Sequence, residues 1–280
     1  MNFRKLRNKN CLITGGSGII GTAICEELAR KGINIAILDI NKDATDTIAD
    51  ALITEYGIKA ISCTASVLNR AQLEQVKIKV NAELGHIHFL INAAGGNSPM
   101  ATTSLEFLDE SNISELDKSF YGLNEEGFDA VFDLNFKGTL LPTLVFTKDM
   151  LEEKSGVVIN ISSMNAFRPL TKIPAYSAAK AAVNNFTQWL AVHLAKTGIR
   201  VNAIAPGFLL TRQNQFLLID EKTGEMTPRG KKIIAHTPMG KYGELDDISG
   251  TIMYLLSDMS KFVTGVVIPV DGGFNAYSGV

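Results

Sequence analysis

The sequence predicts a three-layer α/β fold, a doubly wound sheet of seven parallel strands with helices on both faces. Three observations predict it. Short apolar runs alternate with longer segments of helical period along the whole chain. Several runs, such as 33–38 with its IAIL core, are apolar at successive positions, the pattern of a strand covered on both faces. A glycine-rich turn, TGGSGIIG at 14–21, stands between the first apolar run and the first helical segment.

Each element follows from local pattern. The first strand is 11–14. Ile20, Ala23, Ile24 and Leu28 share one face of a helix at 19–29, which Lys31 and Gly32 end. After the strand at 33–38 the cycle repeats. The third strand holds 60–63, and a helix at 73–84 leads to a strand at 87–91. A long helix at 127–151 precedes a strand at 156–161. Another at 174–196 precedes a strand at 201–204. A helix at 246–257 and a strand at 266–270 close the series. No repeat, low-complexity tract or linker interrupts it, so residues 1–280 read as one Rossmann-type domain. Two polar segments exceed the alternation, 97–126 and 212–240. Both follow strand carboxyl ends, where such sheets bind ligands, and they are expected to shape a substrate pocket or lid.

Composition narrows the function. With 27 basic and 29 acidic residues the net charge is −2, and no like-charged block suggests nucleic acid. No apolar run approaches the roughly 18 residues of a membrane helix, and the run at 11–13 is too short for a signal peptide. Cys11, Cys25 and Cys63 are scattered, without a Cys-x-x-Cys, and read as small core residues in a reducing cytosol. The expectation is a cytoplasmic protein with no nucleic-acid or membrane partner.

Gly16, Gly18 and Gly21 spell G-x-G-x-x-G between strand and helix. Glycine permits the tight turn and close backbone approach, and the helix N-terminus favours a pyrophosphate. No lysine follows, which excludes a nucleotide-hydrolase phosphate loop. Asp39 ends the second strand, 18 residues after Gly21. A carboxylate there accepts hydrogen bonds from an adenosine ribose and repels a 2′-phosphate, so NAD (NADH) is expected rather than NADP.

The chemistry is read further on, in NISSMNAFRPLTKIPAYSAAKAAV at 160–183. Tyr176 and Lys180 are four apart on a helix and share a face. An unperturbed tyrosine, with a pKa of about 10, exchanges protons poorly near neutrality, and a nearby ammonium lowers that value. Ser163, after the fifth strand, can donate to the same carbonyl oxygen.

These motifs resemble the short-chain dehydrogenase/reductase (SDR) family over essentially the full length. TGGSGIIG resembles its cofactor loop and NAAG (92–95) its fourth-strand motif. Asn135, in VFDLNFKG, falls at its catalytic asparagine. Ser163, Tyr176 and Lys180 match its serine, tyrosine and lysine, APGFLLT (205–211) its Pro-Gly-x-x-x-Thr segment, and DGG (271–273) its C-terminal signature. The resemblance implies Tyr176 as proton donor or acceptor and Ser163 as the carbonyl-polarising group. It implies that Lys180 lowers the tyrosine pKa and binds the nicotinamide ribose, and that Asn135 holds a water linking the lysine to solvent. It implies cofactor contacts at Gly15, Ser17, Gly18, Ile20, Gly21, Asp39, Ser66, Val67, Asn92, Ala93, Ala94, Pro206, Gly207, Leu209 and Thr211, besides Tyr176 and Lys180. It also implies a homo-oligomer, dimer or tetramer, with the two long helices in the dimer contact. Two positions depart from the family. Ile19 stands where a glycine is usual, and Ser66 where an aspartate often contacts the adenine amine.

Candidate substrate residues are Gly96, Asn97, Ser163, Asn165, Arg168, Lys172 and Tyr176, with Arg212, Gln213 and Asn214 opening the lid. The set is polar and cationic and suits a hydroxylated anion; Arg168 or Arg212 can clamp a carboxylate bidentately. SSMNAFRPLTKIPAYSAAKAAV, GFLLTRQNQFLL and VDGGFNAYSGV resemble the D-mannonate oxidoreductase (fructuronate reductase) branch, which implies NADH-dependent reduction of a keto uronate at carbon 5. Gluconate or deoxygluconate dehydrogenase and 3-oxoacyl reductase are alternatives within the family. The last calls for a basic docking patch, offered only by Lys231 and Lys232. A non-catalytic dinucleotide sensor is the alternative of another class, and it has no need of Asn135, Ser163, Tyr176 and Lys180 together. His86 and His88 lack a neighbouring acidic or cysteine ligand and read as a surface turn, with no metal expected. His193 reads as packed or exposed, and Phe186 and Trp189 as core or subunit contact.

Overall fold

The computed structural model describes residues 4–212 and 214–279; Gln213 lies outside them. Strands β1 (Asn10–Thr14), β2 (Asn34–Asp39), β3 (Ala60–Thr64), β4 (Phe89–Asn92), β5 (Gly156–Ile161), β6 (Ile199–Pro206) and β7 (Val267–Val270) form one sheet. Its order is β3-β2-β1-β4-β5-β6-β7, and every neighbouring pair is parallel. Helices α1 (Ile19–Arg30), α2 (Lys42–Tyr56), α3 (Arg70–Glu83), α4 (Glu125–Glu152) and α5 (Pro174–Leu194) make the crossovers. Short α6 (Gln215–Leu218) and α7 (Pro228–Ala235) lie in the second long segment, and α8 (Leu245–Leu256) leads to β7.

The continuous apolar runs have a simple cause. Cys11 and Ile13 of β1 pack into one core with α1, α2 and α8. Leu12 faces the opposite core, with α3, α4 and α5. Both faces are dry, and all five residues of β1 are buried. Each buried leucine- or isoleucine-sized side chain contributes about 1.5–3 kcal/mol relative to exposure. The three cysteines are buried and free, as small core residues should be.

Boundaries differ from the sequence expectations where hydrogen bonds to caps and loops decide them. Ile33 falls outside β2 because its N–H closes the α1 terminus on Leu28 O at 3.1 Å, with Gly32 left-handed at φ 78°. Helix α3 starts three residues before Leu73 because the Asn69 side chain caps it, accepting from Gln72 N–H. Helix α4 likewise begins at Glu125 under an Asn124 cap. Strand β4 begins at Phe89 rather than 87, and β6 runs the longer span Ile199–Pro206. Val266 stays out of β7: its N–H donates to the Asn202 side chain. Helix α5 ends at Leu194, before a left-handed Gly198.

Beneath the carboxyl ends of β4 and β5 lies a buried polar chain. Asn92 Nδ2 donates to Asn160 Oδ1 at 2.8 Å and to Thr143 Oγ1 at 2.9 Å. Asn160 Nδ2 donates to Thr187 Oγ1 at 2.9 Å. The chain joins β4 and β5 to α4 and α5, the elements that carry Asn135, Tyr176 and Lys180. Asn160→Ala leaves the Asn92 amide with Thr143 alone and takes from the Thr187 hydroxyl its donor, leaving it only the bond to Val183 O. It is expected to destabilise the protein by about 1–3 kcal/mol, read from the midpoint shift in urea unfolding.

Candidate active site

The sheet changes winding direction between β1 and β4, and the loops beyond their carboxyl ends part there into a crevice. This cleft, of about 1190 Å³, runs from Gly15 and Asp39 at one end to Tyr176, Lys180 and Thr211 at the other.

The glycine turn is shaped by close backbone approach. Gly15 is left-handed at φ 64°, and a Cβ there would stand 2.7 Å from Ala94 Cα. A Cβ on Gly21 would stand 2.1 Å from Gly15 O. Gly18 is the N-cap of α1 and makes no side-chain cap bond. The N–H groups of Ile19, Ile20 and Gly21 therefore open the helix without an intrahelical acceptor, on residues that line the cleft. Ile19 occupies the first helical position, where any side chain is allowed, and it borders the cleft. Asp39 is aimed by three backbone donors, Ser17 N–H on Oδ2 at 3.1 Å and Ile40 and Asn41 N–H on Oδ1 at 2.7 and 3.4 Å. Ser66 lines the same end, with its Oγ accepting from Leu68 N–H at 3.2 Å. A glycine cradle, a helix N-terminus with free donors and an oriented carboxylate fit a dinucleotide.

At the far end Ser163 follows β5, Tyr176 and Lys180 lie one turn apart on α5, and Asn135 lies on α4. The structure brings all four together. Ser163 is hydrogen-bonded to the Tyr176 hydroxyl. Its Oγ also accepts from Asn165 N–H at 3.2 Å. Lys180 Nζ donates to Ile161 O at 2.7 Å and sits 5.6 Å from the Tyr176 ring centre. Burial pushes the Tyr176 phenol above its ordinary value, and the Ser163 bond pulls the other way. Burial brings the Lys180 ammonium down to about 8. Desolvation sets the net direction at Tyr176, opposite to the lowering expected from Lys180, whose ammonium is engaged by the Ile161 carbonyl. No sequence pattern marks that carbonyl, because any residue supplies one.

Asn135 is fully buried. Its Oδ1 accepts from Gly96 N–H at 3.2 Å, and its Nδ2 donates to Gly96 O at 2.7 Å and Val131 O at 2.8 Å. The side chain is thus a two-way clamp on the loop after β4. A Cβ on Gly95 would lie 2.6 Å from Asn135 Oδ1 and 3.2 Å from Lys180 Nζ. Glycine there lets both side chains close on the loop.

Most expected cofactor residues line the cleft: Gly15, Gly18, Ile20, Gly21, Asp39, Ser66, Val67, Ala93, Ala94, Pro206, Gly207, Leu209 and Thr211. Ser17 and Asn92 do not. Ser17 acts through its N–H on Asp39, and the amide of Asn92 is spent in the buried chain below. Of the substrate set, Gly96, Asn97, Ser163, Tyr176 and Asn214 line it, but Asn214 is committed to the lid turn. Its Oδ1 accepts from Thr211 N–H and its Nδ2 donates to Leu209 O. Asn165, Arg168, Lys172 and Arg212 fall outside the lining. Asn165 is buried behind Ser163, and Arg168 and Arg212 point to solvent. The expected bidentate clamp is therefore not assembled in the cleft wall. Leu134 and Leu217 are lining residues that sequence reading missed, because an apolar residue at helical spacing reads as core.

His86 does have acidic neighbours, contrary to expectation. Its Nδ1 is 3.1 Å from Glu153 Oε1, and it lies close to Asp149 and Glu152. Folding brings these from the end of α4, far along the chain. Lys77 and Asn81 already bind Asp149. His88 Nδ1 accepts from Asn10 N–H at 3.1 Å, a contact that seats β4 against β1. His193 stacks on Trp189 at 4.9 Å between ring centres.

A family model described as Enoyl-(Acyl carrier protein) reductase matches residues 16–275. An uncharacterized oxidoreductase of Haemophilus influenzae is 49% identical, over 98% of this chain and 96% of its own length. The uncharacterized oxidoreductase UxuB of Bacillus subtilis is 48% identical, over 98% of each chain. Among solved structures, a proposed D-mannonate oxidoreductase from Haemophilus influenza with bound NAD superposes with a TM-score of 0.92. It is 48% identical, with 99% of each chain covered.

Two outcomes follow from this geometry. Asp39→Asn is expected to raise the KM for NADH about tenfold and to narrow the preference over NADPH, measured by initial rates with each. With Lys180 near 8 and Tyr176 above its ordinary value, kcat/KM for carbonyl reduction is expected to be flat at neutral pH. It should fall as the lysine loses its proton above about pH 8. A pH–rate profile checks this, and Lys180→Arg removes that limb from whatever activity it retains.

Proposed function

We propose, from the premise that the chain belongs to the short-chain dehydrogenase/reductase family and is an NAD-dependent oxidoreductase, that it interconverts D-fructuronate and D-mannonate. The observation that carries the reading is the likeness over 99% of each chain to the NAD-bound Haemophilus protein. The polar lining offered by Asn97, Ser163 and Thr211 supports a hydroxylated substrate.

Bound NADH supplies the hydride to the keto carbon. The chain's own residues handle the oxygen. Ser163 donates a hydrogen bond to it and Tyr176 delivers the proton, so that carbonyl, hydride and proton balance to a secondary alcohol and NAD⁺. Because burial holds Tyr176 above its ordinary value, the phenol carries its proton at neutral pH, as reduction requires. Lys180 places a positive charge beside the developing phenolate and sets the nicotinamide ribose. Asn135 holds Gly96 and with it the wall facing the substrate.

A 3-oxoacyl reductase calls for a basic docking patch, and Lys232 of the Lys231–Lys232 pair is already paired with Glu106. The reading also includes one domain, a cytoplasmic setting consistent with free buried thiols, and a homo-oligomer. Trp189 and Val192 of α5, 58% and 78% exposed, lie on an apolar face suited to a second copy.

The test is a spectrophotometric panel of keto uronates, keto gluconates and an acetoacetyl thioester with NADH and NADPH. D-fructuronate with NADH is expected to give the highest kcat/KM, and oxidation of NADH by none of the sugar acids overturns the reading. Tyr176→Phe is expected to cut kcat by at least about a hundredfold while NADH binding, followed by fluorescence, changes little.

A further inference from the structure

We infer that Glu106 is a positioning residue for the substrate: its carboxylate ties the 212–240 lid to the two loops opposite and holds the substrate half of the cleft in one shape. This rests on the reading of 212–240 as a substrate lid.

Glu106 lies in the 97–126 segment. Its carboxylate meets the Lys232 ammonium of α7, and its Oε1 accepts from the Thr171 hydroxyl at 3.3 Å. Thr171 belongs to the loop that runs from Ser163 to Tyr176. One residue on, Lys172 O accepts from Thr103 N–H at 2.9 Å. The N–H groups of Ser104 and Leu105 both donate to Lys118 O, at 2.9 and 3.0 Å. The stretch 103–106 is thus an arm braced on both sides, with the carboxylate at its end.

The three segments that meet at this carboxylate are those that wall the substrate half of the cleft. The first contributes Asn97, the second Ser163 and Tyr176, and the third Asn214 and Leu217. The lid itself is slight. Helix α6 has four residues and α7 eight, and Thr227 Oγ1 donates within the lid, to Leu217 O. Among the described residues, the pair with Glu106 is the ion pair that joins α7 to the 97–126 segment. Lys232, Thr171 and the nearby charge of Lys172 hold the Glu106 carboxyl below its usual range, so it is ionised at neutral pH. The side chains are partly exposed, 57% for Lys232 and 35% for Glu106. The effect is therefore of the modest size of a surface pair, expressed as lid order rather than as fold stability.

The experiment has two readouts. The rate of tryptic cleavage at Lys222, in the turn between α6 and α7, reports lid opening without reference to any substrate. The KM for D-fructuronate at saturating NADH reports substrate holding. Glu106→Gln is expected to raise both about fivefold, with kcat changed less than twofold and NADH affinity unaltered. Glu106→Lys and Lys232→Glu each act in the same direction. The double swap is expected to return both readouts to within twofold of wild type, which a merely structural loss does not do. Unchanged cleavage in Glu106→Gln overturns the tie whatever the substrate is. Faster cleavage with an unchanged KM overturns its role in holding substrate, as does a swap no better than either single variant. If D-fructuronate is not reduced, the sugar-acid reading fails by itself. KM is then taken for whichever compound of the panel is reduced, and with none reduced the cleavage rates alone decide.

Discussion

The site depends on one buried interaction, the hydrogen bond from Asn92 to Asn160 across the carboxyl ends of β4 and β5. Parallel strands fix their register through backbone bonds, but those bonds stop where the strands end. Asn92 and Asn160, the last register partners of β4 and β5, add a side-chain tie at that end, directly under the cleft. Through Thr143 it reaches α4, and through Thr187 it reaches α5. Asn135 rides on the first helix, and Tyr176 and Lys180 on the second. An unpaired amide in the core costs about 1–3 kcal/mol, so the four elements are held to one mutual arrangement.

Rigidity below the cleft contrasts with lightness above it. The cofactor end is bounded by the glycine turn, where Cβ atoms at Gly15 and Gly21 find no room. Asp39 is fixed there by three backbone donors. The other end is bounded by two long segments with few regular elements. Such a division suits an oxidoreductase that must hold one cofactor geometry and also admit and release a small molecule. The electrostatics follow the same division. Burial moves Lys180 down and, against the pull of Ser163, Tyr176 up, so both groups are set by the buried floor of the cleft.

Ile19 shows how a departure from a motif is absorbed. The family's glycine at that position is replaced, yet the turn keeps its length because Gly15, Gly16 and Gly18 already carry the tight approach. A residue at the first position of a helix needs no unusual backbone angle. The isoleucine therefore changes what borders the cleft, not how the chain turns.

The sequence alone determined the layered sheet, because strands dry on both faces must be apolar at successive positions and crossover helices must show a 3.6 period. It also singled out Ser163, Tyr176 and Lys180, which carry chemistry that few other residue types supply. It placed the cofactor end through glycines that backbone geometry demands and an acid at a strand end. Tertiary structure decided the rest. Only folding places the Ile161 carbonyl on Lys180 and the Gly96 backbone on Asn135, because a backbone atom leaves no mark in a residue pattern. It turns Asn92 from the cleft wall to the floor, and it keeps Arg168 and Arg212 out of the lining, since where a loop side chain points is set by contacts distant in sequence. It brings Glu106 to Thr171 and to Lys232, 65 and 126 positions away, a meeting that no local period encodes.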